Sequence, residues 1–285
     1  MAGWIVVDFE SVMLVVEQTS RSHPGAAPLA RQEVEHMTIV RGVRILAAPC
    51  CGARYKFPNY VSMNFSAFEY WTDGWREFSP MPNDEGLRRC QCGQFVLLKE
   101  LVEIETADTS ELPRIDHVPA ELLPECIAQV RSEDLELAAR LGYWRHLNHP
   151  YRERYRQHRD AEEAATKAAW EAANPDRRNW WDKLRGRKAP SYSRPPGSPF
   201  TYPSFEPTQE QLQNMKRLSE MLIAWYEPTR RRYTVELAEL YREQGHFEEA
   251  ERMILTLAEG EVDVTSNLIA RLIKEKQPAP MRYRM

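Results

Sequence analysis

The sequence predicts an α+β chain, strand-rich in its N-terminal part and α-helical in its C-terminal half, on three observations. Four cysteines stand in two tight pairs, Cys50-Cys51-Gly52 and Cys90-Gln91-Cys92-Gly93, with 38 residues between them and β-branched runs beside them. Beyond about residue 113, apolar residues recur at helical spacing. A proline-rich stretch then separates two such helical parts. The expected division is 1–112 as an α+β domain with an aromatic-rich insertion, 113–188 as a basic helical segment, 189–207 as a linker and 208–285 as a helical module.

Each element has a local reason. The run Ser20-Arg21-Ser22-His23-Pro24-Gly25-Ala26-Ala27-Pro28 reads as a loop by its Pro, Gly and Ser content. Met37 to Leu46 is β-branched and partly alternating, so a strand or hairpin should lead into the first cysteine pair. Phe95 to Ile104 should leave the second pair as a strand in the same way. Between them, residues 55–78 hold nine aromatics (Tyr55, Phe57, Tyr60, Phe65, Phe68, Tyr70, Trp71, Trp75, Phe78), with a turn signal at Asp73-Gly74. Such an insertion either packs on the cysteine-bearing hairpins as a compact core or offers an exposed aromatic platform.

In the helical parts, Leu123, Ile127, Val130, Leu137, Leu141 and Trp144 form one stripe, and Pro150 interrupts it. A second helix is expected from about Tyr151 to Ala173, ended by Asn174-Pro175. Six prolines in 189–207 deny that stretch helix or ladder bonds and predict a semi-stiff spacer. Thr208 is a suitable N-cap for a helix burying Leu212, Met215, Leu218, Leu222 and Trp225, closed by Pro228. Two more helices follow, turning at Gly245.

Composition bounds the function classes. Charged residues make up 28% and hydrophobic ones 42%, a globular balance. No apolar run approaches the roughly 18 residues of a membrane span, so no membrane partner is expected. The start, Met1 to Glu10, lacks a basic region and places Asp8 and Glu10 in its apolar stretch, unlike a secretory leader. A cytoplasmic setting would keep the cysteines reduced, which favours metal binding over disulfides. Net charge is −4, yet residues 140–194 carry 14 Lys/Arg against 7 Asp/Glu, which leaves −11 for the remainder. Within that basic middle, Tyr151 to Arg159 interleaves arginine with tyrosine, and Trp180-Trp181 precedes a second basic run. Either a solvated, aromatic-packed helix face or a phosphate-binding surface gives such letters.

The cysteine pairs carry the most chemistry. Thiolates clustered at two glycine-backed turns are how a small domain holds a tetrahedral metal. Pro49-Cys50-Cys51-Gly52 and Arg89-Cys90-Gln91-Cys92-Gly93 resemble the two knuckles of a zinc ribbon. Ala48 stands where the first knuckle's leading cysteine would be, and the second pair is spaced by one residue. The resemblance implies a structural zinc ion held by Cys50, Cys51, Cys90 and Cys92. A metal-free remnant of such a site, or a redox pair, remains open beside it. Cys126, on the apolar side of a helix, reads as a small buried hydrophobe.

A second resemblance is to one tetratricopeptide repeat, over about 231–264. Leu237, Ala238, Tyr241, Gly245, Phe247 and Ala250 stand at or near its signature positions. Thr234, Leu257 and Val262 depart from it, so a capping hairpin competes with a peptide groove.

No phosphate loop, nucleophile elbow or paired-histidine metal helix occurs. Asp116-His117 and Asp8-Phe9-Glu10 are isolated, so no catalytic residues are assigned. The expected function is that of a non-enzymatic cytoplasmic adaptor or accessory protein, with a partner strip at Tyr226, Tyr233, Leu268 and Ile269. Nucleic-acid binding through the basic middle and a thiol-based redox or metal sensor are the alternatives.

Overall fold

The computed structural model describes residues 5–9, 12–16, 39–62, 67–77, 79, 85–176, 178–186, 188–194, 201–224 and 233–284. A strand-rich N-terminal region carrying the cysteines is followed by a helical C-terminal half. The chain divides into two compact units, Met1–Glu69 with Arg76–Tyr143 and Tyr70–Trp75 with Trp144–Met285. Residues 113–143 thus group with the strands, whereas composition alone had placed them with the helices that follow.

In the first unit, β1 (Ile5–Phe9) and β2 (Val12–Val16) form an antiparallel hairpin. β3 (Ile39–Ala47) pairs antiparallel with β4 (Arg54–Ser62), Leu46 opposite Tyr55. The chain next forms β5 (Glu69–Trp71) and β6 (Arg76–Glu77), whose intervening tip belongs to the second unit. β7 (Leu87–Arg89) and β8 (Phe95–Leu97) form a short hairpin. β9 (Val102–Ala107) returns to β3, giving the order β4-β3-β9, while β10 (Asp116–His117) completes β10-β7-β8.

The run 95–104 is therefore not one strand. A single turn of 3-10 helix at Leu98–Glu100 breaks it and carries the chain from one sheet to the other. Two bonds fix that crossing: Leu98 N–H donates to Gly86 O at 2.7 Å, and Glu100 accepts from Leu97 N–H at 2.8 Å. A core of Leu46, Ala48, Tyr55, Cys90, Val96, Leu101 and Ile115 lies between the two cysteine-bearing hairpins.

The stripe from Leu123 to Trp144 is likewise two helices, α1 (Leu123–Ala128) and α2 (Glu133–Leu147). α1 closes at Gln129, whose N–H bonds to Glu125 O and Cys126 O, and Ser132 starts α2 by accepting the Leu135 N–H at 3.2 Å as its N-cap. Leu123, Cys126, Leu135, Ala138 and Ala139 pack on Leu87, Phe95 and Leu97. Cys126 is fully buried there, the small hydrophobe its position implied.

In the second unit, α3 (His149–Ala173) starts with Pro150 in its first turn, where the missing N–H costs no helix bond. Only its beginning is buried, through Tyr151, Arg152 and Tyr155. After α4 (Trp180–Leu184), the described residues 188–194 and 201–205 lie irregularly along α3. The described parts of the expected spacer are in fact fastened. Tyr192 meets Trp170 edge-on at 5.9 Å, Arg194 pairs with Glu162 at 3.2 Å, Tyr202 stacks on Tyr155 and Phe205 lies against Tyr151. In those described parts the aromatics anchor the chain although it forms no helix or strand.

α5 (Gln209–Ala224) begins with a reciprocal cap in which Thr208 Oγ1 accepts Gln211 N–H and Gln211 accepts Thr208 N–H. Met215, Leu218 and Leu222 are buried as the spacing required, while Trp225 and Pro228 lie outside the described residues. α6 (Thr234–Glu243) and α7 (Phe247–Ile254) form a helical hairpin. Gly245 takes φ 80°, and paired bonds from Gly245 N–H to Arg242 O and His246 N–H to Tyr241 O close α6. α8 (Val264–Lys274) is capped by Asp263, and β11 (Arg282–Tyr283) pairs with Tyr70 and Trp71. Among the described residues, no helix is long and apolar enough to cross a membrane.

The core of the second unit is unusually charged. Arg152 Nη1 donates to Asp73 Oδ2 at 2.6 Å, both side chains wholly buried. Arg145 Nε donates to Asp73 O at 3.0 Å, and Asn148 bridges Asp73 to Glu243 with bonds of 3.1 Å to each. Trp144 Nε1 donates to Glu243 at 2.8 Å, and Arg242 pairs with Glu239 at 2.7 Å and with the Gln277 carbonyl. The Asp73-Gly74 turn thus exists, and its function is to bring a carboxylate into this network.

Candidate metal centre

Two hairpin turns build the site. In the β3–β4 turn, Ala48 N–H donates to Ala53 O at 2.9 Å and Gly52 N–H to Ala48 O at 2.8 Å. In the β7–β8 turn, Cys90 N–H donates to Gln94 O and Gly93 N–H to Cys90 O, both at 2.8 Å. Gly52 and Gly93 have φ of 70° and 87°, a region where a Cβ is strained. Each turn curls its backbone so that the cysteines just before the glycine project to one side.

All four sulfurs converge, lying within 4.8 Å of one another. Cys50 and Cys92 are 3.5 Å apart, Cys51 and Cys90 are 3.4 Å apart, and Cys50 and Cys51 are 3.9 Å apart. Four thiolates about 2.3 Å from a central tetrahedral ion would be about 3.8 Å apart, so the set is close to the size such an ion requires. The four residues can therefore hold a metal ion. Cys90 is buried, Cys50 half-buried, and Cys51 and Cys92 exposed.

Electrostatics without an ion is adverse. Burial and the neighbouring thiols of Cys92, Cys90 and Cys51 push Cys50 up to about 12. Burial also acts to raise Cys90, but hydrogen bonds from Tyr55, the Cys92 backbone and the thiols of Cys51 and Cys50 outweigh it and bring Cys90 down to about 6. One thiolate is thus accommodated at the expense of its neighbours. A cation would remove that conflict, since it favours every sulfur's charged form.

Tyr55 supports the ligands from outside. Its hydroxyl lies 3.2 Å from Cys90 Sγ and accepts the Gln91 N–H at 2.8 Å, so it pins the second turn from the strand that follows the first. Sequence reasoning counted Tyr55 only as an aromatic; its place four residues after Cys51, at the start of β4, was the signal available. Tyr55→Phe should leave the fold intact and weaken metal retention by roughly 10- to 100-fold, measured by competition with a chromogenic chelator. Retention equal to that of the unmodified chain would make the hydroxyl a packing feature alone.

The other sequence-derived sites fare differently. The aromatic insertion does not form one compact core on the hairpins. Tyr55 and Phe57 pack beside the centre, Trp71 is buried among Tyr151, Tyr155 and Phe205 of the second unit, and Phe68 is exposed. Phe65 and Phe78 lie outside the described residues. In the basic run, Arg152 is not available to phosphate because it is the buried partner of Asp73. Arg154 is exposed, and Arg156 and Arg159 are half-buried. Of the expected partner strip, Tyr226 lies outside the described residues and Tyr233 and Leu268 are half-buried. Ile269 is not exposed: it sits in the core with Ala238, Ala250 and Ile273, on the face of α8 turned to the α6–α7 hairpin. Among the described residues, the large apolar side chains exposed in this half are instead Tyr202, Ile223, Leu255, Val262 and Val264, together with Trp180, Trp181 and Leu184 described below. Asp116 and His117 are exposed in β10, and the side chains of Asp8 and Glu10 lie outside what is described.

No protein-family model, no curated protein and no solved structure matches this chain. The likeness of the two turns to zinc-ribbon knuckles, and of the α6–α7 hairpin to a tetratricopeptide repeat, rests on the residues themselves.

Proposed function

We propose that this chain is a non-enzymatic accessory or adaptor protein in which Cys50, Cys51, Cys90 and Cys92 hold one structural zinc ion and the helical half engages another protein. The convergence of the four sulfurs carries the reading. An all-sulfur donor set of this size suits zinc, a soft-tolerant tetrahedral ion, far better than magnesium or calcium, which take oxygen. Four protein ligands would close the coordination sphere and leave no position for a substrate or an activated water. The ion would then act on the fold, by tying the β3–β4 turn to the β7–β8 turn, and all four sulfurs would be charged together only while it is bound.

Metal analysis of the purified chain tests this directly. One zinc per chain is expected, abolished by Cys51→Ser with Cys90→Ser, with cobalt substitution giving the absorption of a tetrahedral thiolate site. Substoichiometric metal after purification under reducing conditions with added zinc would defeat the reading. The adaptor role is tested by capture of a defined partner whose binding survives Asp116→Ala and His117→Ala, an exposed acid–histidine pair in β10.

A further inference from the structure

Beyond the end of α3 the chain builds a second exposed feature, independent of the metal centre. Trp180, Trp181 and Leu184 are 62%, 52% and 70% exposed, on one side of the short helix α4. The segment that carries them follows directly on α3 and is fastened to that helix on its C-terminal side. Asp176 pairs with Arg178 at 2.8 Å before it, and Tyr192 and Arg194 are fixed to Trp170 and Glu162 after it. The two tryptophans are thus presented at a defined place, beside the solvent-exposed end of a 25-residue helix. Residues 177–188 contain Arg177, Arg178, Lys183, Arg185, Arg187 and Lys188 against Asp182 alone, a net charge of +5 (6 − 1).

We propose that this tip docks on the surface of an anionic lipid bilayer, with Trp180, Trp181 and Leu184 entering the boundary between headgroups and acyl chains and the exposed Arg185 and Lys188 meeting lipid phosphates. Tryptophan favours that boundary because its ring is apolar and its N–H can stay hydrated. A patch of tryptophan and leucine bordered by Lys and Arg is the pattern of peripheral membrane contact, which needs no spanning helix. The geometry favours lipid over single-stranded nucleic acid. The indole rings lie on each other, with centroids 3.7 Å apart and planes 30° apart, so no base can enter between them. Leu184, the most exposed of the three, offers no face for stacking. The expectation of no membrane partner came from the lack of a span and does not bear on a contact of this kind.

Co-sedimentation of the full chain with phosphatidylcholine vesicles, with and without phosphatidylserine, tests the proposal. Binding should require the anionic lipid and fall with added salt, each cation near the surface contributing about fivefold. Trp180→Ala with Trp181→Ala should reduce binding by roughly tenfold or more, and Arg185→Glu with Lys188→Glu should reduce it further at low salt. All four side chains are exposed, so the thermal transition of either variant should stay where it was. Absence of binding to anionic vesicles, or undiminished binding by the tryptophan variant, overturns the proposal. So does capture of a single-stranded oligonucleotide through the same tryptophans by a chain that ignores the vesicles.

Discussion

Stripping the ion with a strong chelator is expected to unfold the cysteine-bearing sheets of the first unit. Amide exchange should accelerate across 39–62 and 87–107, and the loss of stability should reach several kcal/mol, because at such sites binding free energy is folding free energy. The reason lies in what stands between the hairpins. Their shared core is small, and two of the residues in or against it, Cys90 and Cys50, belong to the proposed ligand set. Without the ion, sulfurs 3.4 to 3.5 Å apart must stay protonated or repel, and the turns lose the link that holds one sheet to the other. Cys90→Ser should cost more than Cys92→Ser, since Cys90 is buried and also bonded to Tyr55, while Cys92 is exposed. The measurement is denaturant unfolding of the zinc-loaded and chelated chains, followed through exchange at the residues named. Identical unfolding of the two forms would show that hydrophobic packing alone holds these hairpins.

What could be read in advance was local. Cysteine and glycine in the same turn identify a knuckle because both the ligand and the left-handed residue must be neighbours in the chain. The same holds for the Thr208–Gln211 cap, the Gly245 helix end and the Asp73-Gly74 turn, each set by residues within five positions. What could not be read depended on distant partners. Nothing in the apolar run 95–104 announces that Leu98 bonds to Gly86 and turns the chain into another sheet. Nothing in Tyr151-Arg152-Glu153-Arg154 distinguishes the arginine that meets Asp73, 79 positions earlier, from those left in water. The convergence of the cysteines was expected from pattern, but the hydroxyl that supports Cys90 comes from the opposite hairpin, 35 positions away. Ile269 fits a helical stripe on either face of α8, and only the packing of the α6–α7 hairpin decides which.

The charged core of the second unit sets up the other large effect. Arg152→Met should destabilise that unit by about 3–5 kcal/mol, because it leaves the Asp73 carboxylate buried beside neutral donors with its cation gone. Losing the pair together, as Arg152→Met with Asp73→Asn, should cost much less than the sum of the single changes, since neither charge is then stranded. Glu243 gives the same network a pH signature. Burial, followed by the charges of Glu239 and Asp73, holds its carboxyl well above the ordinary range, against the opposing pull of Arg242 and the Trp144 N–H. The folded chain therefore keeps a proton there that the unfolded chain releases. Its contribution to stability is complete below the unfolded carboxylate range and declines as pH rises through and above that range. Glu243→Gln, which keeps an acceptor for the Trp144 N–H, should remove that decline and raise the thermal midpoint at neutral pH relative to the unmodified chain. Thermal unfolding from acid to neutral pH measures both. An Arg152→Met chain as stable as the original would mean that the Asp73 carboxylate is satisfied by Asn148 and the Trp75 N–H, and a Glu243→Gln chain with an unchanged slope would place the titrating group elsewhere in the core.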